Sequence, residues 1–335
     1  MKKHLIAAAV AGALAVPAMA QVTISGYLEA GLTSVKTDGE SVTAVGAFVG
    51  TPTLTFSGSE DLGGGLKASF TLAQEFDVST GVETESQNPA TSSSLGTFEE
   101  SSLGLSGGFG AIKLGRFNHA ARDNGGNYRF FGDIGRVDSD FRGINKETED
   151  TIQYSTPSLG GLTAHVAYSN HGAKDGASAT PHTISYAAFF KSGPINVGAG
   201  FTERDTDAAN KAKVTTVGGS YDMGMAKIGL IYGEYTTTSD EKRDVMGVHV
   251  AVPLGSGMTV GGNYSVYESD QDNDSGSKVY AVAFKKDLSK RTSLVAAYVS
   301  VDADTDARGL QPASLVAVTN GKTNSGFGLA VTHKF

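Results

Sequence analysis

The chain has 335 residues, with 44 glycines against 8 prolines, no cysteine, and 35 Asp and Glu against 27 Lys and Arg, a formal charge of −8. The missing cysteines exclude a disulfide framework and a thiolate metal site. The acidic balance argues against a nucleic-acid binder, which needs clustered Lys and Arg for phosphate, and this much glycine without a collagen period is not a helical composition.

The first 20 residues, MKKHLIAAAVAGALAVPAMA, join a basic start (Lys2, Lys3) to an apolar run from Leu5 to Val16 and an A-x-A site at Ala18-Met19-Ala20. This layout predicts a secretory signal peptide over 1–20, too short to span a bilayer, and a mature domain over 21–335. Removing Lys2 and Lys3 takes the 27 basic residues to 25 against 35 acids, a formal charge of about −10. No later apolar run reaches the length of a membrane helix.

From Gln21 onward the chain alternates. The first strand sets Val22, Ile24 and Leu28 against Thr23, Ser25, Tyr27 and Glu29. After an indistinct connection near 37–42, LKASFTLAQE sets Leu66, Ala68, Phe70 and Leu72 against Lys67, Ser69, Thr71, Ala73 and Glu75. Further along, Met258, Val260, Tyr264 and Val266 oppose Thr259, Asn263, Ser265 and Tyr267. Short turns fall at 61–65, 107–110, 158–161, 192–194, 222–225, 255–257 and 286–289. Polar connections fall at 79–96, 118–148, 171–180, 206–211, 239–243, 269–277 and 303–321.

Seven short turns and eight longer connections, counting 37–42, predict sixteen antiparallel strands in an all-β transmembrane barrel. The apolar set would meet lipid and the small polar set would line water; closure leaves no unpaired edge in the bilayer. A soluble sandwich alternates as well, but its outer face would be this small polar set. Tyr154, Tyr168, Tyr186, Tyr232, Tyr264, Tyr280 and Tyr298 near strand ends supply an aromatic girdle without tryptophan.

Three segments carry a family resemblance: GSEDLGGGLKASFTLAQEFD (58–77), LGLSGGFGAIKLGRFN (103–118) and DTIQYSTPSLGGLTAHVAYS (150–169). They resemble the general trimeric outer-membrane porins of Gram-negative bacteria, of the β-proteobacterial and neisserial type. The resemblance implies a homotrimer in the outer membrane, short periplasmic turns, long extracellular loops, and a third loop folded inward to narrow the pore. By position that loop is 118–148. Its expected constriction residues are Arg122, Arg129, Asp133, Arg136, Asp138 and Asp140, with Asp123 and Arg142 in the same stretch. Arg122, Arg129 and Arg136 are spaced by seven, which puts them on one face if the segment is helical.

The resemblance also implies wall cations on the second and fourth strands, where this chain has Thr53 and Glu99 or Glu100. Glu100 and Lys113 have inward parity, as do Tyr27 and His165, whereas Arg116 needs a bulge to face the pore. With two wall cations lost and a carboxylate gained, the expectation is a weakly selective pore with a mild cation lean. Its solutes are small and hydrophilic, and it needs no cofactor. Its other partners are outer-membrane lipid, lipopolysaccharide and the barrel-assembly machinery, with the terminal Phe335 resembling the assembly signal.

Other chemistries are poorly supported. Asp270, Asp272 and Asp274, and again Asp302, Asp304 and Asp306, imitate the opening of a calcium loop but lack its glycine spacing and closing glutamate. They suit weak surface divalent cations instead. The six histidines after residue 20 are scattered and lie in no nucleophile motif, so a barrel hydrolase is disfavoured. A substrate-favouring porin keeps the same fold, and an adhesive role for the loops would be secondary.

Overall fold

The computed structural model describes residues 21–37, 39–82, 98–136, 147–170, 182–205, 211–239, 241–270, 276–304, 315–316 and 319–335. The signal-peptide expectation (1–20), Asp138, Asp140, Arg142, Asp272, Asp274 and Asp306 fall outside these residues.

The strands run β1 (Gln21–Thr37), β2 (Glu40–Gly46), β3 (Thr53–Gly63), β4 (Leu66–Glu75), β5 (Glu100–Gly107), β6 (Gly110–Phe117), β7 (Thr148–Ser155), β8 (Leu162–Asn170), β9 (His182–Ser192) and β10 (Ile195–Asp205). They continue with β11 (Lys211–Asp222), β12 (Lys227–Thr236), β13 (Lys242–Gly255), β14 (Met258–Ser269), β15 (Ser277–Asp287), β16 (Thr292–Ala303) and β17 (Thr323–Lys334). One short helix, α1 (Ala120–Gly126), follows β6.

Each strand pairs antiparallel with its neighbours, and β17 pairs with β1 from Tyr27↔Lys334 to Lys36↔Ser325, closing the cylinder. Phe335 completes the seam through two backbone hydrogen bonds with Gly26, both 3.1 Å. The structure is a sixteen-stranded barrel, because β2 and β3 are two halves of one strand: both pair with β1, end to end.

One expectation needs correction here. The connection near 37–42 is a tight hairpin between Thr37 and Glu40, not a long loop. The real irregularity comes later, at 47–52, where the second strand leaves the wall. Opposite Leu28, Glu29 and Ala30 of β1 stand six residues between Gly46 and Thr53. That surplus of backbone has nowhere to go in a flat ladder, so it folds out of the sheet.

The outward face is as the alternation predicts. Leu32, Leu103, Leu114, Val217, Met246, Val282 and Leu329 are exposed, as are all seven girdle tyrosines. Tyr264 and Tyr280 pair across strands with ring centroids 4.9 Å apart.

The inward face differs from expectation over part of the wall. On β13 to β17 the inward face carries a buried apolar cluster, Val245, Val279, Ala281, Val295, Val299, Val301 and Ala330, with the polar His249, Ser265 and Asn324 buried on the same strands. They do not line water. Phe48 and Val49 from the 47–52 protrusion, Phe131 and Ile134 from the third loop, and Leu315 and Val316 from the last loop cover them. The barrel holds a hydrophobic core inside itself, beside which part of the inward polar set is buried as well.

Candidate functional site: a lumenal constriction of mixed charge

The third loop is anchored at its root. Two alanines open α1, and two glycines at 125 and 126 end it, since Gly is a poor helix former. The preceding His119 makes no capping bond with its side chain. Its ring is instead fully buried against the wall, with Nε2 3.0 Å from the Ser169 hydroxyl of β8. Ser169 in turn meets Thr151 Oγ1 at 2.7 Å and Thr148 Oγ1 at 2.8 Å. The Ala120 N–H donates to Gln153 Oε1 at 3.2 Å. The alternation gave no reason to single out His119, because the hydroxyls that fix it come from β7 and β8. His119 and Ser169 are sealed from the lumen, so the pair holds a loop and meets no solute.

From this root the loop crosses the inner wall. Asn124 Nδ2 donates to Thr216 Oγ1 of β11 at 3.0 Å, and Tyr128 donates its hydroxyl to Asn124 Oδ1 at 3.0 Å. Tyr128 lies flat on Gly218, where a Cβ would stand 2.3 Å from its ring, and Phe131 lies on Gly261 at 2.5 Å. Asn263 Nδ2 donates to the Gly135 carbonyl at 2.9 Å. Small inward residues here serve as notches for the loop and are not exposed to water.

The lumenal side of the loop bounds a cavity of about 390 Å³ lined by Thr51, Glu75, Glu99, Arg122, Asp123, Asn127, Arg129, Asp133 and Arg136. Arg122, Arg129 and Arg136 do meet there, but not by the helical spacing, since α1 ends at Gly126 and the other two arginines lie in the turns beyond. Asp133 Oδ1 is 2.8 Å from Arg136 Nη1 and 3.4 Å from Arg129 Nη1. Arg122 stands 4.0 Å from Glu99 and 3.8 Å from Glu147.

Glu99 and Glu147 are two carboxyls sharing a buried site beside Arg122 and Arg116. Burial, then the hydrogen bond with Glu147 and the charges of Glu75 and Glu147, push the Glu99 carboxyl up to about 8 against the pull of Arg122. Burial opposes the Glu147 charge too, but the hydrogen bond with Glu99, Arg122 and Arg116 hold its pKa below the usual carboxylate value. The shared site thus drives the two carboxyls apart, Glu99 up and Glu147 down. Asp123 opens onto the lumen, yet burial of its surroundings raises its pKa, with Glu100 adding to the rise and Arg122 and Lys113 opposing it.

On the adjoining wall, Glu100 of β5 and Lys113 of β6 form an ion pair at 2.7 Å. Lys113 also sits over the Phe117 ring, 4.3 Å from its centroid. The ladder slips between Gly115 and Phe117, the irregularity that Arg116 requires. The Arg116 guanidinium donates to the Phe98 carbonyl at 2.8 Å and lies 3.8 Å from Glu147, at the loop root and outside the cavity lining. Tyr27 faces inward and donates to Glu29 Oε2 at 2.6 Å. His165 faces inward lower on the wall, 2.8 Å from Ser155 Oγ through Nδ1, and is not part of the cavity. Glu99 was one of two alternatives for a wall position, whereas Glu29, Glu75 and Glu147 were not singled out as site residues.

A Gram-negative porin family model matches residues 7–306. The chain belongs to the Gram-negative porin family. Among curated relatives, this porin is 28% identical to outer membrane porin protein 32 of Delftia acidovorans over the full length of both chains. It is 36% identical to the major outer membrane protein P.IB of Neisseria meningitidis serogroup B over half of this chain and 49% of that one. The chain spans about half the length of the neisserial relatives it matches. Among solved structures, an anion-selective porin from Comamonas acidovorans superposes with a TM-score of 0.78 at 24% identity, covering 94% of this chain and all of that one. OmpT of Vibrio cholerae in its trimer form superposes with a TM-score of 0.70 at 14% identity, covering 94% and 99%. These two likenesses bear on the fold alone. The porin's place is the outer membrane, which it crosses with strands.

Proposed function

We propose that this porin is a water-filled channel for passive diffusion of small hydrophilic solutes and ions across the outer membrane, weakly charge-selective with a mild cation lean. The observation that carries the reading is the cavity of about 390 Å³ between the third loop and the β4–β5 rim, bounded by Arg122, Arg129 and Arg136 and by Glu75, Glu99, Asp123 and Asp133. Charges lining a narrow aqueous path bias ion entry, while nearly balanced charges bias it weakly. Four carboxyls against three arginines leave a small negative excess that the Glu99 proton largely cancels at neutral pH. Transport needs no catalysis, cofactor or coupled energy.

The working form is a homotrimer, a reading supported by the trimer form of the Vibrio cholerae relative. Lipopolysaccharide at the outer rim and the barrel-assembly machinery, reading the strand that ends in Phe335, are its other partners. Planar-bilayer recording in a KCl gradient tests the proposal. Conductance in groups of three steps with a small cation-directed reversal potential is the expected result. A clear anion preference contradicts the selectivity, and absence of conductance contradicts the channel. The mixed-sign cavity also suits a substrate-favouring porin with a solute site at the constriction; saturable, solute-specific block of the current would favour that second reading.

A further inference from the structure

Glu29 is a carboxylate inside the barrel with 1% of its surface exposed. Among the described residues no lysine or arginine forms an ion pair with it. Its Oε1 accepts the N–H groups of Phe48 at 2.6 Å and Val49 at 2.9 Å. Its Oε2 accepts the Gly50 N–H at 2.9 Å and the Tyr27 hydroxyl at 2.6 Å. Three successive backbone donors converging on one carboxylate form a concave anion site, and such donors stabilise a charge that burial alone would expel. This carboxylate stands opposite the place where the second strand leaves the wall with three residues too many.

The 47–52 segment carries the contact onward. The Val49 carbonyl accepts the Asp133 N–H at 2.8 Å. Gly132, with φ +60°, packs so closely on that carbonyl that a Cβ would lie 2.0 Å from its oxygen. Thr51 of the same segment lines the constriction cavity. Asp133 then holds Arg136 at 2.8 Å and Arg129 at 3.4 Å. A continuous chain of bonds therefore runs from Glu29 through 48–50 to Asp133 and two arginines of the pore.

We propose that Glu29 is a positioning residue for the constriction: it folds the 47–52 segment into a fixed shelf that sets the place of Asp133, and through it Arg129 and Arg136, in the lumen. The shelf is a second inward element, contributed by the wall itself and independent of the third loop's own anchors at His119 and Asn124. The proposal rests on the reading of the cavity as the current-limiting passage. Glu29 makes no contact with a permeating ion; it acts on the ones that do.

The test compares Glu29→Gln, Gly132→Ala and Asp133→Asn in purified porin, by single-channel conductance and reversal potential in a KCl gradient, with heat-stability of the folded barrel as control. Glu29→Gln turns one acceptor oxygen into an NH₂ group facing backbone N–H donors. It should raise conductance by about 1.5-fold, and because Asp133 and its arginines carry the effect, it should add little to Asp133→Asn in the double variant. Gly132→Ala attacks the same junction from the loop side with Glu29 intact and should give the same direction of change. Glu29→Asp, which keeps the charge, should restore part of the wild-type reversal potential. A role in barrel folding alone would lower heat stability and leave the open-channel reversal potential unmoved. Should Glu29→Gln fail to fold, Gly132→Ala decides the matter. If Asp133→Asn shifts the reversal potential while Glu29→Gln or Gly132→Ala leaves both readings at wild type, the positioning role is overturned and the constriction stands. If Asp133→Asn shifts nothing, the cavity is not the passage and both fall.

Discussion

The lumen has two unlike halves. Along β13 to β17 many inward side chains are Val and Ala, with buried Tyr267, packed under Phe48, Ile134, Leu315 and Val316, and the polar His249, Ser265 and Asn324 are buried on the same strands. Along β4 to β6 the inward side chains include Lys67, Ser69, Thr71, Glu75, Glu100 and Lys113, with the charged cavity beside them. The backbone is the same antiparallel ladder in both. What differs is whether an inward segment covers the wall, so inward parity in a barrel says where a side chain points and not what it meets. An apolar face under a loop gains burial like any core, whereas an uncovered inward face must be polar to hold a water path.

Breaking the covered half should have the largest effects. Gly326 of β17 lies under the last loop, where a Cβ would come within 1.8 Å of the Leu315 backbone oxygen. Gly326→Ala should therefore expel that loop and sharply reduce the yield of heat-stable porin. At Gly104 in the open half the one close approach is to the Ser69 hydroxyl, at 2.6 Å, which can rotate away, the next atom being at an ordinary 3.6 Å. Gly104→Ala should leave heat stability within about 0.5 kcal/mol of wild type. Equal losses from the two substitutions would remove the distinction between the halves.

Next in size is Phe48→Ala. Phe48 is 1% exposed, lies on Gly328 and belongs to the same buried cluster as Leu315, so the cavity left behind should cost about 3–5 kcal/mol. Its signature should be a lowered unfolding midpoint in denaturant, accompanied by a noisier open channel as the covering segments loosen.

In the open half, charge changes should move selectivity and barely touch stability. Lys113→Ala leaves Glu100 facing the lumen without its 2.7 Å partner. Because both side chains keep a quarter to a third of their surface exposed, the stability loss should stay under about 1 kcal/mol, while the reversal potential moves toward cations. A pH series refines this further. The Glu99 carboxyl, raised to about 8, is neutral below that pH and negative above it. Cation preference should therefore rise as pH goes from 7 to 9, and Glu99→Gln should flatten the rise. The sign for stability is opposite to that of an ordinary carboxylate. The folded state binds this proton more tightly than the unfolded chain does, so its contribution is lost as pH rises through about 8.

Much of the fold was legible because lipid imposes one rule on every outward residue. The seven tyrosines, the turns after β3, β5, β9, β11 and β13, and the seam between β17 and β1 all follow from alternation. The covered half left a fainter trace. The stretches VYAVAF (279–284) and SLVAAYVSV (293–301) are apolar on both parities, the pattern of a strand buried on two faces. The strand break at 47–52 was hidden because SVTAVGAFVGTPTLTF keeps a strand-like composition through the protrusion. Glu29 and His119 were illegible for one reason: the groups that give them a role are 19 to 50 residues away in sequence.

The chain has no cysteine, so single cysteines can map the water path directly. Thr71 faces inward in the open half, and Val299 faces inward in the covered half with 0% of its surface exposed. A water-soluble, charged thiol reagent should modify Thr71→Cys rapidly and lower its single-channel conductance, while Val299→Cys remains unmodified in the folded porin. Modification of Val299→Cys at a rate comparable to Thr71→Cys would mean that water fills both halves, contradicting the divided lumen.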